Sequence, residues 1–288
     1  MKGFNKMTER IVAGFSQAPG VKAIVLGGSQ ATGTATALSD VDIALYYDQE
    51  IGLDWKQMNE IAQQLDDRHT WGLMVKTGEW GPWINGGGWL LIDGVAVDVL
   101  FRDFQQVEQE VDHCLNGEIT LDYQCGHPFA FVNSIYLGEV FYCRILWERD
   151  QDLQRLKERL AVYPETYRQS VFQKFLWEAQ FSLDCGRKSG KKQDLVYGIG
   201  SLYRAVNAMV QVLYALNQAY LLNEKGSIRR LHKLERSMPP GWLEQLESVL
   251  EGVTLENMDS RFEQAEQCLR QLEEAVSMKE YGERSWIR

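Results

Sequence analysis

One short segment constrains this chain more than any other, residues 26–45, which read LGGSQATGTATALSDVDIAL. A Gly-Gly-Ser turn follows an apolar run, and ten residues later Asp40 and Asp42 flank a valine. Because side chains alternate along a β-strand, acids at positions i and i+2 lie on the same face. Neighbouring carboxylates repel each other unless a cation lies between them, and hard oxygen ligands suit Mg²⁺. The segment therefore predicts a metal site.

The turn at Gly27, Gly28 and Ser29 predicts a second feature. A glycine turn that leads into a helix presents backbone N–H groups to an anion such as a phosphate. Because the turn and the two acids are close in sequence, one short segment supplies both a phosphate cradle and a metal site.

A third acid lies in the apolar run Val95–Leu100, where Asp98 has valines on both sides. A lone Asp is unfavourable in a buried strand. It is reasonable if this strand lies beside the strand of Asp40 and Asp42, so that its carboxylate completes the metal site. Three such acids can hold two Mg²⁺ ions, which clamp the attacking and leaving oxygens of an in-line displacement. The alternative, a surface turn and a solvent-edge strand, gives Asp98 no role.

These features together resemble the signature of the DNA polymerase β-like nucleotidyltransferase superfamily. The signature covers residues 24–43 and 95–100, and a weaker architectural similarity covers the whole chain. Within the superfamily, a small chain with a helical C-terminal half is most similar to the antibiotic-type enzymes, which modify aminoglycosides and lincosamides.

The resemblance implies an Mg²⁺-dependent enzyme that transfers a nucleoside monophosphate from an NTP, expected to be ATP, to a hydroxyl of a small acceptor. The acceptor would be aminoglycoside- or lincosamide-like, and pyrophosphate would be released. Asp40 and Asp42 would bind both ions, Asp98 the catalytic ion, and the Gly-Gly-Ser turn the triphosphate. Asp98 is also a candidate for the base that removes the hydroxyl proton.

The expected fold class is α+β, a nucleotidyltransferase domain with a mixed sheet over residues 1–149 and an all-α bundle over residues 150–288. The expected strands are residues 21–26, 41–47 and 73–76, then a hairpin of 90–92 and 95–101 around an Asp-Gly turn. The expected helices are residues 6–17, 30–36, 55–67, 102–115, 165–185, 194–222, 227–237, 242–250 and 255–281.

The helical half supplies three candidate site residues. The leaving pyrophosphate needs positive charge, and Lys225, at a break between helices, is the first candidate, followed by Arg204. The resemblance supports contact between helical-domain lysines and the triphosphate without saying which lysine is used. Glu178, in an aromatic helix, is either a base or a ligand for an acceptor amine, or it pairs with Arg204. For Glu139, we favour the exposed side of a half-buried segment over a pocket acid.

The segment of residues 77–89 holds three tryptophans and five glycines. One interpretation is a loop that presents Trp80, Trp83 or Trp89 to a ring-shaped ligand by stacking. The other is a glycine-rich hairpin whose tryptophans pack on the sheet or on the second domain. The second is favoured, because tryptophan is normally largely buried.

Charge and cysteine content limit the partners. Residues 1–150 hold 21 Asp and Glu against 10 Lys and Arg, a net charge of −11, whereas the whole chain has −10. Nucleic acid is therefore not an expected partner, and a small acceptor, including a cationic one, is consistent with this charge. No apolar run reaches the roughly 18 residues of a membrane span. The first 15 residues are expected to form a helix rather than a signal peptide. Five scattered cysteines indicate reduced thiols and a cytoplasmic location.

Two other functions remain open. The acceptor can be a protein side chain, which would make the enzyme an AMPylating one. However, the antitoxins of the superfamily, which resemble such AMPylating enzymes, are much shorter chains. The chain can also be a nucleotide-binding or partner-binding module without catalysis, although all three acids are present. The resemblance also allows a homodimer, since related antibiotic enzymes can share their cleft between subunits.

Overall fold

The computed structural model describes residues 2–33 and 39–284. The chain forms two compact units. Unit 1 comprises Met1–His113, Leu121–Gly126 and Asn133–Val162, and unit 2 comprises Cys114–Thr120, His127–Val132 and Tyr163–Arg288. The predicted domain bounds, 1–149 and 150–288, stay a prediction.

The first part of the chain alternates between helices and strands. Its elements are α1 (Lys2–Phe15), β1 (Val21–Leu26), α2 (Gly28–Ala31), β2 (Val41–Tyr47), α3 (Trp55–Leu65), β3 (Gly87–Ile92), β4 (Val95–Asp103), α4 (Phe104–Leu115), β5 (Leu121–Asp122), β6 (Phe131–Val132), α5 (Ile135–Tyr142), β7 (Arg144–Glu148) and α6 (Asp152–Arg159). The later elements are helices: α7 (Glu165–Gly186), α8 (Leu195–Leu216), α9 (Ser227–Leu234), α10 (Trp242–Ser248) and α11 (Met258–Arg284).

A five-stranded mixed sheet forms the centre of unit 1, with strand order β3-β4-β2-β1-β7. β2 and β4 run parallel, and the other neighbouring strands run antiparallel. A mixed sheet with helices, followed by a helical region, confirms the predicted α+β class. The bounds of β1 and β2 are those predicted from the sequence.

One face of the sheet carries the hydrophobic core of unit 1. Alternate residues of the strands, such as Leu26, Ile43 and Val99, are buried against Ile11 of α1 and Met58 of α3. Because strand side chains alternate, the residues between them lie on the opposite face. That opposite face carries Asp42 of β2 and Asp98 of β4.

Several predicted bounds were wrong. The strand expected at residues 73–76 is reduced to an isolated bridge between Met74 and Gly88. The helix expected from Arg102 begins at Phe104, because Arg102 and Asp103 complete β4 and the Asp103 side chain then accepts a hydrogen bond from the Gln106 N–H.

Further helices differ from their predicted bounds, and the strands β5, β6 and β7 and the helices α5 and α6 were not predicted. The helix expected over 194–222 ends at Leu216. The short helix expected over 30–36 is Gly28–Ala31, and residues 34–36 lie outside the described part of the chain. β7 was not predicted, since its five residues are half-buried or exposed and lack a clear alternation.

The helices of unit 2 enclose a second core. The long helices α7, α8 and α11 bury apolar side chains against one another, among them Phe175, Leu183, Met209, Phe262 and Leu269. α8 begins at an N-cap, because the Asp194 carboxylate accepts a hydrogen bond from the Tyr197 N–H. Among the described helices, none combines the length and the apolar character that crossing a membrane requires.

Candidate active site

Two of the three predicted acids are neighbours on the sheet. In the parallel pair of β2 and β4, Asp42 lies directly opposite Asp98. Both side chains project from the face opposite the core formed with α1 and α3, because Ile43 and Val99, next to them in sequence, point into that core. The prediction that the strand of Asp98 lies beside the strand of Asp42 is confirmed.

The Gly-Gly-Ser turn contacts the first of these acids. The Gly27 N–H donates a hydrogen bond of 2.8 Å to the Asp42 carbonyl oxygen, which holds the turn on the start of β2. Gly28 has a φ of +55°, and a Cβ added there would overlap the Asp42 carboxylate. Only glycine therefore allows the carboxylate to lie against the turn. Gly28 and Ser29 open α2, whose first N–H groups have no acceptor within the helix.

Asp40 is exposed and precedes β2 by one residue. Within residues 2–33 and 39–284, no three His, Cys, Asp or Glu side chains converge as a set that could hold a metal ion. The structure places Asp42 opposite Asp98, and the role of Asp40 in the metal site stays a prediction. The chemistry of this donor set, carboxylate oxygens on neighbouring strands, fits Mg²⁺.

An exposed tryptophan continues the row formed by the two acids. In the antiparallel pair of β3 and β4, Trp89 lies directly opposite Asp98, so both side chains are on the same face. The Trp89 side chain is 60% exposed. Its ring centroid lies 4.7 Å from that of Trp80, at an interplanar angle of 32°. Across the sheet the order is therefore Trp89, Asp98, Asp42 and the turn that follows β1.

The other two tryptophans of the segment are half-buried. Trp80 packs over Gly87, where an added Cβ would lie 2.9 Å from the Trp80 ring. The Trp83 ring lies 6.3 Å from the Tyr136 ring, and the Tyr136 hydroxyl donates a 2.6 Å hydrogen bond to the Trp83 carbonyl oxygen. The favoured interpretation, tryptophans packed on the sheet, holds for Trp80, whereas Trp83 packs near Tyr136 of α5 and Trp89 is exposed.

A carboxylate at the end of α3 anchors β3. Asp66 is buried and accepts hydrogen bonds from the Leu91 N–H at 2.7 Å and from the Arg68 guanidinium at 2.8 and 2.9 Å. Arg68 also donates to the Trp89 carbonyl oxygen at 2.9 Å. The hydrogen bond from Arg68, with the Leu91 N–H and despite burial, lowers the pKa of Asp66 to about 2.

A buried ion pair on the same face of β4 was missed by sequence reasoning. Arg102 is 2% exposed, and its guanidinium donates two hydrogen bonds of 2.7 Å to the Glu139 carboxylate. Burial by itself lowers the pKa of Arg102, but the adjacent Glu139 carboxylate more than offsets this, so the pKa is raised. Glu139 is therefore the partner of a buried cation rather than an exposed acid, and the favoured interpretation was wrong.

The candidates of the helical half are located on α7, on α8 and before α9. The Arg204 guanidinium pairs with the Glu178 carboxylate and lies 5.3 Å from the centre of the Phe129 ring. This pairing is one of the alternatives that the sequence left open. Lys225 is exposed. The roles of Lys225 and Arg204 toward the triphosphate, and of Glu178 toward the acceptor, stay predictions.

Residues 9–76 match the family described as Polymerase beta, Nucleotidyltransferase. The matched span is less than half of the chain, contains the Gly-Gly-Ser turn, Asp40 and Asp42, and ends before Asp98. The chain thus carries a nucleotidyltransferase domain of the polymerase β type. The predicted class of enzyme, a nucleotidyltransferase, is confirmed, and the reaction class that the match supports is general nucleotidyl transfer.

Solved structures give weaker likenesses. A nucleotidyltransferase-like protein from Exiguobacterium sibiricum 255-15 is 15% identical, with a TM-score of 0.45 over 96% of this chain and 75% of that one. An aminoglycoside 6-adenyltransferase from Bacillus subtilis is 13% identical, with a TM-score of 0.36 over 94% and 89% of the two chains. The CdnC:HORMA-deltaN complex of E. coli MS115-1 is 11% identical, with a TM-score of 0.26 over 91% and 87%. No curated protein sequence matches the chain. Since every TM-score is below 0.5, these likenesses do not bear on substrate or mechanism.

Proposed function

We propose that this protein is an Mg²⁺-dependent nucleotidyltransferase that moves a nucleoside monophosphate from ATP to a hydroxyl of a small, aminoglycoside- or lincosamide-like acceptor. The observation that carries the proposal is the pair Asp42 and Asp98, opposite each other on parallel strands, with the Gly28 turn against Asp42. A register pair of carboxylates on one sheet face is costly unless a cation accompanies it. A phosphate-binding turn at the same place supplies a reason for that cation.

Each part of the site has a separate task in the proposed reaction. Asp42 and Asp98, with Asp40, would hold Mg²⁺, which when bound neutralises phosphate charge and orients the reacting oxygens. The N–H groups of Gly28 and Ser29 would bind the phosphates that leave. Asp98, on the side of Asp42 away from the turn, would accept the proton of the acceptor hydroxyl. The acceptor oxygen then bonds to the α-phosphorus as the bond to the β-phosphate oxygen breaks, and pyrophosphate leaves.

The test is pyrophosphate release with Mg²⁺ and each of the four NTPs, against aminoglycosides, lincosamides and simple sugars. Asp42→Asn should abolish release and leave the circular dichroism spectrum and the melting temperature unchanged, because the residue lies outside the core. Asp122→Asn, an exposed Asp on β5, is the matched control and should keep full activity. An Asp42→Asn variant with full activity would refute the assignment of the acids.

The same assay separates the remaining alternatives. Release that depends on one acceptor establishes the reaction and the acceptor together. If no small acceptor works while ATP binds in an Mg²⁺-dependent way, a protein acceptor becomes the better proposal. Incubation with labelled ATP and candidate proteins then measures AMPylation directly.

A further inference from the structure

We infer that Trp89, held by Trp80, is a stacking subsite for a saccharide ring of the acceptor. The inference rests on the proposed function and deepens it, since it assigns a specificity-determining residue to the acceptor. Nothing in the family signature includes either tryptophan, and the matched residues 9–76 end before both of them.

The position of Trp89 in the sheet places it on the acceptor side of the acids. In an in-line displacement, the attacking oxygen enters on the side of the phosphorus opposite the leaving pyrophosphate. The turn proposed to bind the leaving phosphates follows β1, on one side of Asp42. Asp98 and then Trp89 follow on the other side. With about 4.8 Å between strands, Trp89 is about 10 Å from β2, so an acceptor that contacts the indole lies within reach of both acids.

The exposure of Trp89 is unusual for its type. An indole is normally largely buried, yet 60% of this side chain is exposed, on a strand whose neighbouring residues Gly88 and Leu90 are buried. An exposed indole next to two carboxylates offers an apolar plane to the C–H face of a sugar. The carboxylates can then accept hydrogen bonds from the hydroxyl or amino groups of that sugar. The net charge of −11 over residues 1–150 also favours rings that carry amino groups.

The indole is also held in place before any ligand binds. Trp80 packs against it at 4.7 Å, and Gly87 leaves the space that the Trp80 ring occupies. Gln124 donates a 2.7 Å hydrogen bond to the Trp80 carbonyl oxygen, which ties this part of the loop to the domain. A contact surface that is already ordered loses less conformational entropy on binding, so it gives more affinity per contact.

The experiment compares Trp89→Ala with Trp89→Phe and with Trp71→Ala. Trp71 is a matched control, because it is also exposed, at 47%, in the same unit and packs edge-on against Trp55. Trp89→Ala should raise the acceptor KM roughly tenfold, with the KM for ATP and kcat changed less than twofold. Trp89→Phe should restore most of the loss, and Trp71→Ala should behave like the wild type.

Calorimetric titration with kanamycin, an amino-sugar probe, gives a readout that needs no turnover. The Kd of kanamycin should rise about tenfold in Trp89→Ala and stay unchanged in Trp71→Ala. If the wild type binds kanamycin through Trp89 but never releases pyrophosphate, the subsite stands and the proposed function fails. A raised KM for ATP alone would assign Trp89 to the nucleobase and overturn the inference. Unchanged kanamycin affinity together with unchanged acceptor KM would also overturn it.

Discussion

At the residue scale, Gly28 brings the turn and the Asp42 carboxylate of the candidate site into contact. Its φ of +55° is in the left-handed region, and the space of its missing side chain is occupied by the Asp42 carboxylate. Gly33, five residues later, has a similar φ of +69° but no atom within 4 Å of an added Cβ. A comparison of substitutions at the two glycines therefore distinguishes the effect of backbone strain from the effect of displacing the Asp42 carboxylate.

We predict that Gly28→Ala abolishes nucleotidyl transfer and that Gly33→Ala does not. Both substitutions place an L-residue in the left-handed region, at a cost of about 1–2 kcal/mol each. Only the first also displaces the Asp42 carboxylate. Urea unfolding measures the stability cost, and pyrophosphate release measures activity. Equal loss of activity in both variants would mean that strain alone, and not the position of Asp42, is responsible.

At the element scale, the end of α3 is joined to the edge strand β3 through one buried carboxylate. Asp66 accepts from the Leu91 N–H of β3 and from Arg68, which also binds the Trp89 carbonyl oxygen. The pKa of Asp66 in the folded protein is about 2, below its ordinary value of about 3.9 in an unfolded chain. Folding therefore favours the ionised form, and the stability gained is present above pH 4.

We predict that Asp66→Asn lowers the free energy of unfolding at pH 7 by about 2 kcal/mol. As the pH falls from about 4 to 2, the wild type protonates Asp66 and loses the same contribution, so the difference between the two proteins shrinks. Urea titrations at pH 7, 4 and 3 measure this difference in the free energy of unfolding. Glu60→Gln, at an exposed position of the same helix, is the control and should show little change. A difference that stays constant with pH would contradict the prediction.

At the scale of the whole molecule, all five cysteines are in the described part of the chain and all are free thiols. Cys125 and Cys185 are exposed, whereas Cys114, Cys143 and Cys268 are buried in the two cores. Burial raises the pKa of the Cys143 and Cys268 thiols to about 11. Because the thiolate is the reactive form, burial protects these thiols twice, by blocking access and by keeping the proton bound.

We predict that Ellman's reagent at pH 8 reacts rapidly with two thiols of the folded protein and with five in 6 M guanidinium chloride, without a reductant. The rate for the three slow thiols should follow unfolding. Cys125→Ser and Cys185→Ser should each remove one rapid equivalent. Fewer than five thiols in denaturant would reveal a disulfide, and more than two rapid thiols would show that one core opens readily.

The predictable part of the site consists of features encoded over short distances along the chain. The bounds of β1 and β2 follow from apolar runs next to glycine and acidic residues. The β3–β4 hairpin follows from its Asp93-Gly94 turn, in which both residues have positive φ. The sequence predicts Asp98 beside Asp42, because an acid inside a strand of valines is costly unless a cation compensates its charge. The structure shows Asp42 opposite Asp98, and the prediction that Asp40 joins them in one metal site stays a prediction.

Other features depended on residues distant in sequence. The pairing of Arg102 with Glu139 joins residues 37 positions apart, and that of Glu178 with Arg204 joins two antiparallel helices. No local pattern distinguishes an exposed acid from one that compensates a buried cation. β7 is a strand because β1 offers it an edge, not because of its own five residues. These features can be seen only in the tertiary structure.

The sequence by itself determined the α+β class, the turn, and the acids of the candidate site, because each depends on local backbone preferences and side-chain alternation. The tertiary structure decided which faces those residues share. It placed Trp89 beside Asp98, with Trp80 packed against Trp89 and Trp83 packed near Tyr136. The physical reason is that strand register and burial depend on contacts between segments that folding brings together, and local sequence does not specify those contacts.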